Sequence, residues 1–308
     1  MEHTPVILKE SINGLNIKPD GVYVDGTLGL GGHSKEIAKR LTTGNLIAID
    51  CDSAAIITAK ENLKEFESKI VYVNENFSNI AEILKKLEID KVDGMIFDLG
   101  VSSPQLDNKE RGFTYNQNAN LDMRMDQNAT LTAFDIVNNY EEKELQSILY
   151  KYGEEKYAKL IVRGIIKQRQ QSPVKTTFEL NEIVKSSIPA SARREAQHPS
   201  KRTFQAIRIV VNNELESIKK MLDITPDLLK QHGRLCVISF HSLEDRLVKN
   251  AFTKNAKDCE CPKGFPICTC NKEVKLKLIN RKPITASKDE IISNPRARSA
   301  KLRIAEKT

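Results

Sequence analysis

Asp25-Gly26-Thr27-Leu28-Gly29-Leu30-Gly31-Gly32-His33-Ser34 is the stretch whose reading decides the fold. It follows the apolar run Val22-Tyr23-Val24 and precedes Lys35 to Leu41, whose spacing predicts a helix. Glycines at such a junction let the backbone turn sharply and approach a ligand closely, while the start of a helix presents free amides. Gly29-x-Gly31-x-x-Ser34 comes close to a dinucleotide fingerprint with the last glycine replaced. Outward from this turn, apolar runs alternate with helical spacing. The runs are Asn45 to Ile49, Ile70 to Val73 and Val92 to Leu99, separated by helices over Ser53 to Phe66 and Ile80 to Leu87. Short apolar runs separated by amphipathic helices predict a parallel sheet covered on both faces.

Beyond Leu99 the strand signals stop. One long helix is expected from Glu142 to Gln171 and a second beginning at Thr176, where Glu179 completes a capping box. A third runs from Thr203 to Leu222, with Phe204, Ile207, Val211, Leu215, Ile218 and Leu222 stepping by three or four. Strand character returns at Arg234 to Phe240, Val274 to Ile279 and Ala300 to Ile304, and the last two read as an antiparallel pair on the sheet edge. The expected organisation is an α/β core in two parts, 1–106 and 206–308, interrupted by a helical insert over 107–205. With 40% hydrophobic and 29% charged residues, the chain has enough apolar content for a core and too little for a membrane bundle. No stretch reaches the roughly 18 consecutive apolar residues of a spanning helix, and the first ten residues lack a signal-peptide pattern. A soluble cytoplasmic protein with no membrane partner is the expectation.

The formal net charge of +7 is unevenly placed. Lys156 to Arg202 holds eleven Lys or Arg against three Asp or Glu, and Lys272 to Thr308 holds eleven against four. Lys156, Lys159, Arg163 and Lys167 fall on one helical face, and Arg193, Arg194, Lys201 and Arg202 follow. A solvated face explains one such patch; two on a body that is otherwise acidic point to a polyanion.

The chemistry gathers at strand ends. Asp50 closes the second apolar run at the separation expected of an acidic residue on ribose hydroxyls, and Asp98 ends the fourth. Phe77, after the third run, suits an adenine ring. With Asp25, these positions describe a nucleoside-type cofactor site that NAD or S-adenosylmethionine would fit. Asp98-Leu99-Gly100-Val101-Ser102-Ser103-Pro104-Gln105 occupies the position of the loop that holds a target amine in amino-methyltransferases. An exocyclic base amine is a poor nucleophile, so a site must accept its hydrogens and orient it. His33 reads also as a cap of the helix it opens, His241 equally as a contact to a flipped base or as a structural residue at the helix entry, and Arg124 as a phosphate or cofactor-carboxylate contact. Cys51 and Cys236 lie in apolar runs, whereas Cys259, Cys261, Cys268 and Cys270 form two Cys-x-Cys pairs with the donor count of a tetrahedral zinc site.

Several ordered blocks then resemble the MraW/RsmH family of small-subunit rRNA cytosine-N4 methyltransferases. They are Gly26 to Ser34, Asp98 to Asp107, Arg111-Gly112-Phe113, Leu121-Asp122-Met123-Arg124-Met125, Tyr152-Gly153-Glu154-Glu155, Arg202-Thr203-Phe204-Gln205-Ala206, Ile238 to Arg246 and Asn294-Pro295-Arg296-Ala297-Arg298-Ser299. The resemblance implies a Rossmann-like, S-adenosylmethionine-dependent core with a helical insert for substrate recognition. It also implies cofactor contacts at Gly31, Gly32, His33, Asp50, Phe77, Asp98 and Gln105. The implied substrate is a decoding-region cytidine of 16S rRNA within the small ribosomal subunit. The loop departs from the Asp/Asn-Pro-Pro-aromatic motif of many amino-methyltransferases, and Asp98, Ser102 and Ser103 are the candidates to receive the amine hydrogens. The rivals on the residues alone are a nicotinamide-dependent oxidoreductase and a non-catalytic ribosome-assembly factor.

Overall fold

Leu46-Ile47-Ala48-Ile49 is apolar at every position because it is covered on both sides. Leu46 and Ala48 pack into one buried cluster with Ile37, Ile56 and Ala59. Ile47 and Ile49 pack into another with Ile80, Leu84, Met221 and Phe252. A computed structural model describes residues 5–195, 197–259, 261, 270 and 272–308. Its strands are β1 (Val22–Asp25), β2 (Asn45–Asp50), β3 (Ile70–Asn74), β4 (Val92–Asp98), β5 (Leu229–Ser239), β6 (Leu276–Leu278), β7 (Ile284–Thr285) and β8 (Lys301–Lys307).

They form one sheet in the order β3-β2-β1-β4-β5-β8-β6, with β7 also on β8. Strands β1 to β5 are mutually parallel, and β8 enters antiparallel to β5. The antiparallel pairing of β6 with β8 agrees with the sequence expectation. The order reverses between β1 and β4, the crevice where open α/β sheets take their ligands. The protein is an α/β, Rossmann-like fold.

Helices α1 (Leu8–Leu15), α2 (Gly32–Ala38), α3 (Ser53–Asn62) and α4 (Ile80–Lys86) accompany the first four strands. Then come α5 (Ser103–Asp107), α6 (Ala133–Asn139), α7 (Glu142–Gly153), α8 (Ala158–Arg169), α9 (Thr177–Ser187) and α10 (Lys201–Val211). Finally α11 (Glu214–Leu228), α12 (Ser242–Asn255) and α13 (Lys288–Ser293) complete the order. The chain divides into two compact units, one of residues 1–100 with 215–308 and one of Val101–Glu214. The segment 107–205 lies inside the second.

That second unit has its own core, with Phe113, Leu121, Met123, Ile136, Ile161, Ile165, Val184, Phe204 and Ile207 all buried. Thr176 caps α9 as expected: its hydroxyl receives the Glu179 amide at 3.2 Å, and Glu179 Oε2 receives the Thr176 amide at 3.1 Å. Two expected helices are each divided in two. The Glu142 to Gln171 helix breaks at Glu154, which turns left-handed at φ 48°. Beside it, a Cβ on Gly153 would lie 2.7 Å from the Arg202 carbonyl oxygen, so α7 packs with its backbone close to α10. The Thr203 to Leu222 helix breaks at Asn213, also left-handed at φ 49°. Asn212 holds this break, accepting the Met125 amide at 2.7 Å and donating to the Met123 carbonyl at 2.8 Å. The helix expected over Ser53 to Phe66 ends at Asn62 and gives way to a tighter turn over Lys64–Lys69.

Replacing Ile47, fully buried in β2, by Ala leaves a void that the two flanking layers cannot refill. We expect a loss of about 2–5 kcal/mol, measured by urea denaturation. Ile57→Ala, at a side chain 65% exposed on α3, is the control and shifts stability by less than about 0.5 kcal/mol.

Candidate active site

Five parallel strands deliver their carboxyl ends to one rim, and three of them end in aspartate: Asp25 on β1, Asp50 on β2 and Asp98 on β4. The Gly26–Ser34 turn leaves the rim from β1. Gly31 caps α2 at φ 85°, a left-handed conformation that glycine adopts without strain. A Cβ there would also lie 2.7 Å from Leu63 Cδ1. The turn is tied to the strands on either side. Thr27 Oγ1 accepts the Asp98 amide at 2.6 Å, and the Leu28 amide donates to the Ile49 carbonyl at 2.9 Å.

Each aspartate is held differently. Asp50 accepts the Gly29 amide on Oδ2 at 2.8 Å and the Asp52 amide on Oδ1 at 2.9 Å, which fixes its carboxylate in one orientation. The α3 cap is supplied by Asp52, which accepts the Ala54 amide. Asp25 is 1% exposed and accepts the Thr27 amide at 3.1 Å and the Ser34 hydroxyl at 2.7 Å. Burial pushes its pKa up to about 6, against the pull of those two hydrogen bonds and with a contribution from the Asp50 charge.

Asp98 is the most perturbed of the three. Burial first, then the charges of Asp25 and Glu244, raise its pKa well above the usual carboxylate range. Its Oδ1 is buried with no hydrogen-bond partner among the described residues, while 24% of the side chain stays open. His33 Nδ1 lies 3.9 Å from Asp98 Oδ2. The other nitrogen, Nε2, sits 3.2 Å from the Val6 carbonyl, which accepts only a proton-bearing nitrogen. His33 is the second residue of α2, and Gly31 is its cap. The cap at the end of β5 is His241, whose Nδ1 accepts the Glu244 amide while Glu244 Oε2 receives the amides of Phe240 at 2.7 Å and His241 at 3.2 Å. Phe77 is half-buried after β3 and meets Phe97 edge to face at 5.8 Å between centroids.

Ser102, Ser103 and Gln105 belong to the second unit. Ser102 and Gln105 form the capping box of α5, in which Gln105 Oε1 accepts the Ser102 amide at 3.0 Å. Gln105 is 5% exposed. Lys156, Lys159, Arg163, Lys167, Arg193, Arg194 and Lys201 are exposed, and Arg202 is half-buried. Leu160, expected on the packed face, is 41% exposed. Arg124 grips the Asp122 carboxylate with two hydrogen bonds of 2.9 and 2.7 Å and donates to two loop carbonyls, so it is a structural clamp. Cys236 is buried, and burial pushes its thiol up to about 12. Cys268 lies outside the described residues.

Three contributors escape a reading by motif. Thr27 and Ser34 sit inside the glycine turn but carry no signal of their own. Glu244 is visible only through its spacing of three from His241, the signature of a capping box.

The model of the MraW methylase family matches residues 1–308. The Ribosomal RNA small subunit methyltransferase H of Lachnospira eligens is 53% identical over 307 residues, covering 99% of this chain and 98% of that protein. The protein of the same name from Clostridioides difficile is 54% identical over 306 residues, covering 99% and 98%. Among solved structures, an rRNA methylase from Streptococcus thermophilus aligns over 100% of this chain and 98% of its own, at 10% identity and a TM-score of 0.45.

The raised pKa of Asp25 has a measurable sign. Folding binds a proton at Asp25 between the ordinary value of 3.8 and about 6, so stability falls as pH rises through that window and levels off above it. Asp98 contributes in the same direction. Asp25→Asn removes its share, at most about 3 kcal/mol. Urea midpoints measured across the window show a shallower decline for the variant.

Proposed function

The chain belongs to the MraW methylase family and is an S-adenosylmethionine-dependent methyltransferase of small-subunit rRNA, and from that premise we propose that its target is the N4 amine of a decoding-region cytidine in 16S rRNA. One observation carries the proposal: a buried carboxylate oxygen on Asp98 with no hydrogen-bond partner among the described residues, at the head of the Leu99 to Gln105 loop. That is the acceptor an exocyclic amine needs.

The residues at the rim fit the cofactor. S-adenosylmethionine supplies, when bound, a methyl group made electrophilic by its sulfonium. Carboxylates perturbed by one another suit a ligand that carries positive charge. Asp50, oriented by two amides, is assigned to the paired hydroxyls of a ribose. Gly31, Gly32 and His33 would hold the cofactor at the turn, Phe77 its adenine, and Asp98 and Gln105 its remaining polar groups.

The base amine has its lone pair conjugated into the ring, and it must lose a proton as the new bond forms. Asp98 is assigned to orient the N–H and take that proton. A carboxylate with raised proton affinity is the better base whenever it is ionised. Ser102 and Ser103, the other candidates, follow in the loop; Ser102 is engaged with Gln105 in the capping box, and the buried oxygen with no partner among the described residues favours Asp98. The cytidine has to leave its stack to reach such a pocket. The basic side chains on and around α8 and α10 are assigned to the phosphates, and the helical insert to substrate recognition.

Mass spectrometry of small-subunit rRNA from cells lacking this protein should show the loss of one methylated cytidine; an unchanged modification map rejects the assignment. With purified protein, Asp98→Ala should lower methyl transfer at saturating cofactor by at least about 100-fold, with weaker but measurable binding of labelled cofactor. Asp50→Ala should abolish cofactor binding itself. Replacing Lys159 and Arg163 by Ala should weaken RNA binding evenly across sequences. The salt slope in filter-binding titrations should fall by about 1 for each phosphate no longer neutralised.

A further inference from the structure

Methyl transfer leaves a group of cysteines unused. Cys259, Cys261 and Cys270 bring their sulfur atoms within 4.8 Å of one another. Cys259 Sγ and Cys270 Sγ stand 3.9 Å apart, and none of the three is in a disulfide. A disulfide holds its sulfurs at about 2.0 Å, whereas two thiolates on one tetrahedral zinc, each at about 2.3 Å from the ion, stand about 3.8 Å apart. The observed separation is that of neighbouring ligands. The Cys261 amide donates to Cys259 Sγ at 3.3 Å, a hydrogen bond that orients a sulfur and stabilises its negative charge. Cys259 and Cys261 are half-buried and Cys270 is exposed, so an ion has a path from solvent.

The surrounding chain closes on itself. The Lys275 amide donates to the Asn255 carbonyl at 2.9 Å, and Lys272 Nζ donates to the Lys254 carbonyl at 2.6 Å. The polypeptide that leaves the carboxyl end of α12 therefore returns to the same place before entering β6. We infer that Cys259, Cys261 and Cys270 form a thiolate site for zinc that clasps this excursion at its base. Soft sulfur donors select zinc over magnesium or calcium. Each ligating thiol releases its proton to solvent as the ion binds, and no electrons are exchanged. A further ligand completes the tetrahedron.

Elemental analysis of the full chain, purified with reductant and exposed to zinc, tests the site. One zinc per chain is expected, falling at least tenfold in Cys259→Ser and in Cys270→Ser, and unchanged in Cys51→Ala. Cobalt(II) added to the unmodified chain should produce thiolate-to-metal charge-transfer absorption, which zinc then displaces. This arm does not depend on a variant folding. Zinc-free protein with no cobalt spectrum, full stoichiometry in Cys259→Ser, or a Cys259–Cys270 disulfide found by mass spectrometry under the same reducing conditions would each overturn the inference.

Discussion

Carboxyl groups gathered at one rim, where burial and like charge act together on Asp25 and Asp98, are the constraint on which the rest of this structure turns. The two aspartates of β4 show how unusual the arrangement is. Asp93, at the amino end, is opposed by burial but outweighed by hydrogen bonds from Lys230 and the Val22 amide and by the Lys18 charge, and its pKa falls. Asp98, at the carboxyl end of the same strand, meets burial and the like charges of Asp25 and Glu244, and its pKa rises. One end of the strand is finished as structure, and the other is left in need of a partner. Such imbalance is costly to keep. In the proposed function, a cationic cofactor and an amine substrate would complete the site.

Keeping those groups in place falls to short-range hydrogen bonds from the glycine turn. Asp50 holds the Gly29 amide, Ser34 holds Asp25, and Thr27 receives the Asp98 amide. The turn thus crosses from β1 to β2 and β4 within a few residues. Glu244 does the same from β5: it receives the amides of Phe240 and His241, and its charge acts on Asp98. Every residue in this set is anchored to backbone that the sheet already fixes, so the carboxyl positions do not depend on long, flexible side chains.

Much of this was legible beforehand. The alternation of apolar runs with helical spacing placed the parallel strands, because a strand covered on both faces has no polar positions to lose. The capping box at Thr176 was legible because it is a purely local interaction. The helix break at Glu154 was not, since glutamate favours helix interiors; the Asn212-Asn213 pair does tolerate a left-handed end, but the apolar stepping that runs on through it masked that signal. Glu154 and Asn213 each adopt φ near +50° because packing demands it: at Gly153 against the Arg202 carbonyl, and at Asn212 through hydrogen bonds to Met123 and Met125. Arg124 misled for a related reason. A cation in a polar loop looks available until its partner Asp122 and two loop carbonyls are seen around it.

Sequence alone determined the parallel strands of the core and the helices between them, the glycine turn, the identity of the acidic residues that close the strands, and the two basic segments. These follow from periodicity, local turn chemistry and charge, which are properties of neighbours along the chain. Only the tertiary structure decided that Asp98 keeps a buried oxygen without a partner among the described residues, that Glu244 perturbs it, and that three cysteines converge to within ligand distance. The first two depend on burial and on the approach of residues far apart in the chain, and the third on sulfur separations that spacing does not give; burial is a property of the packed molecule and not of any segment in it.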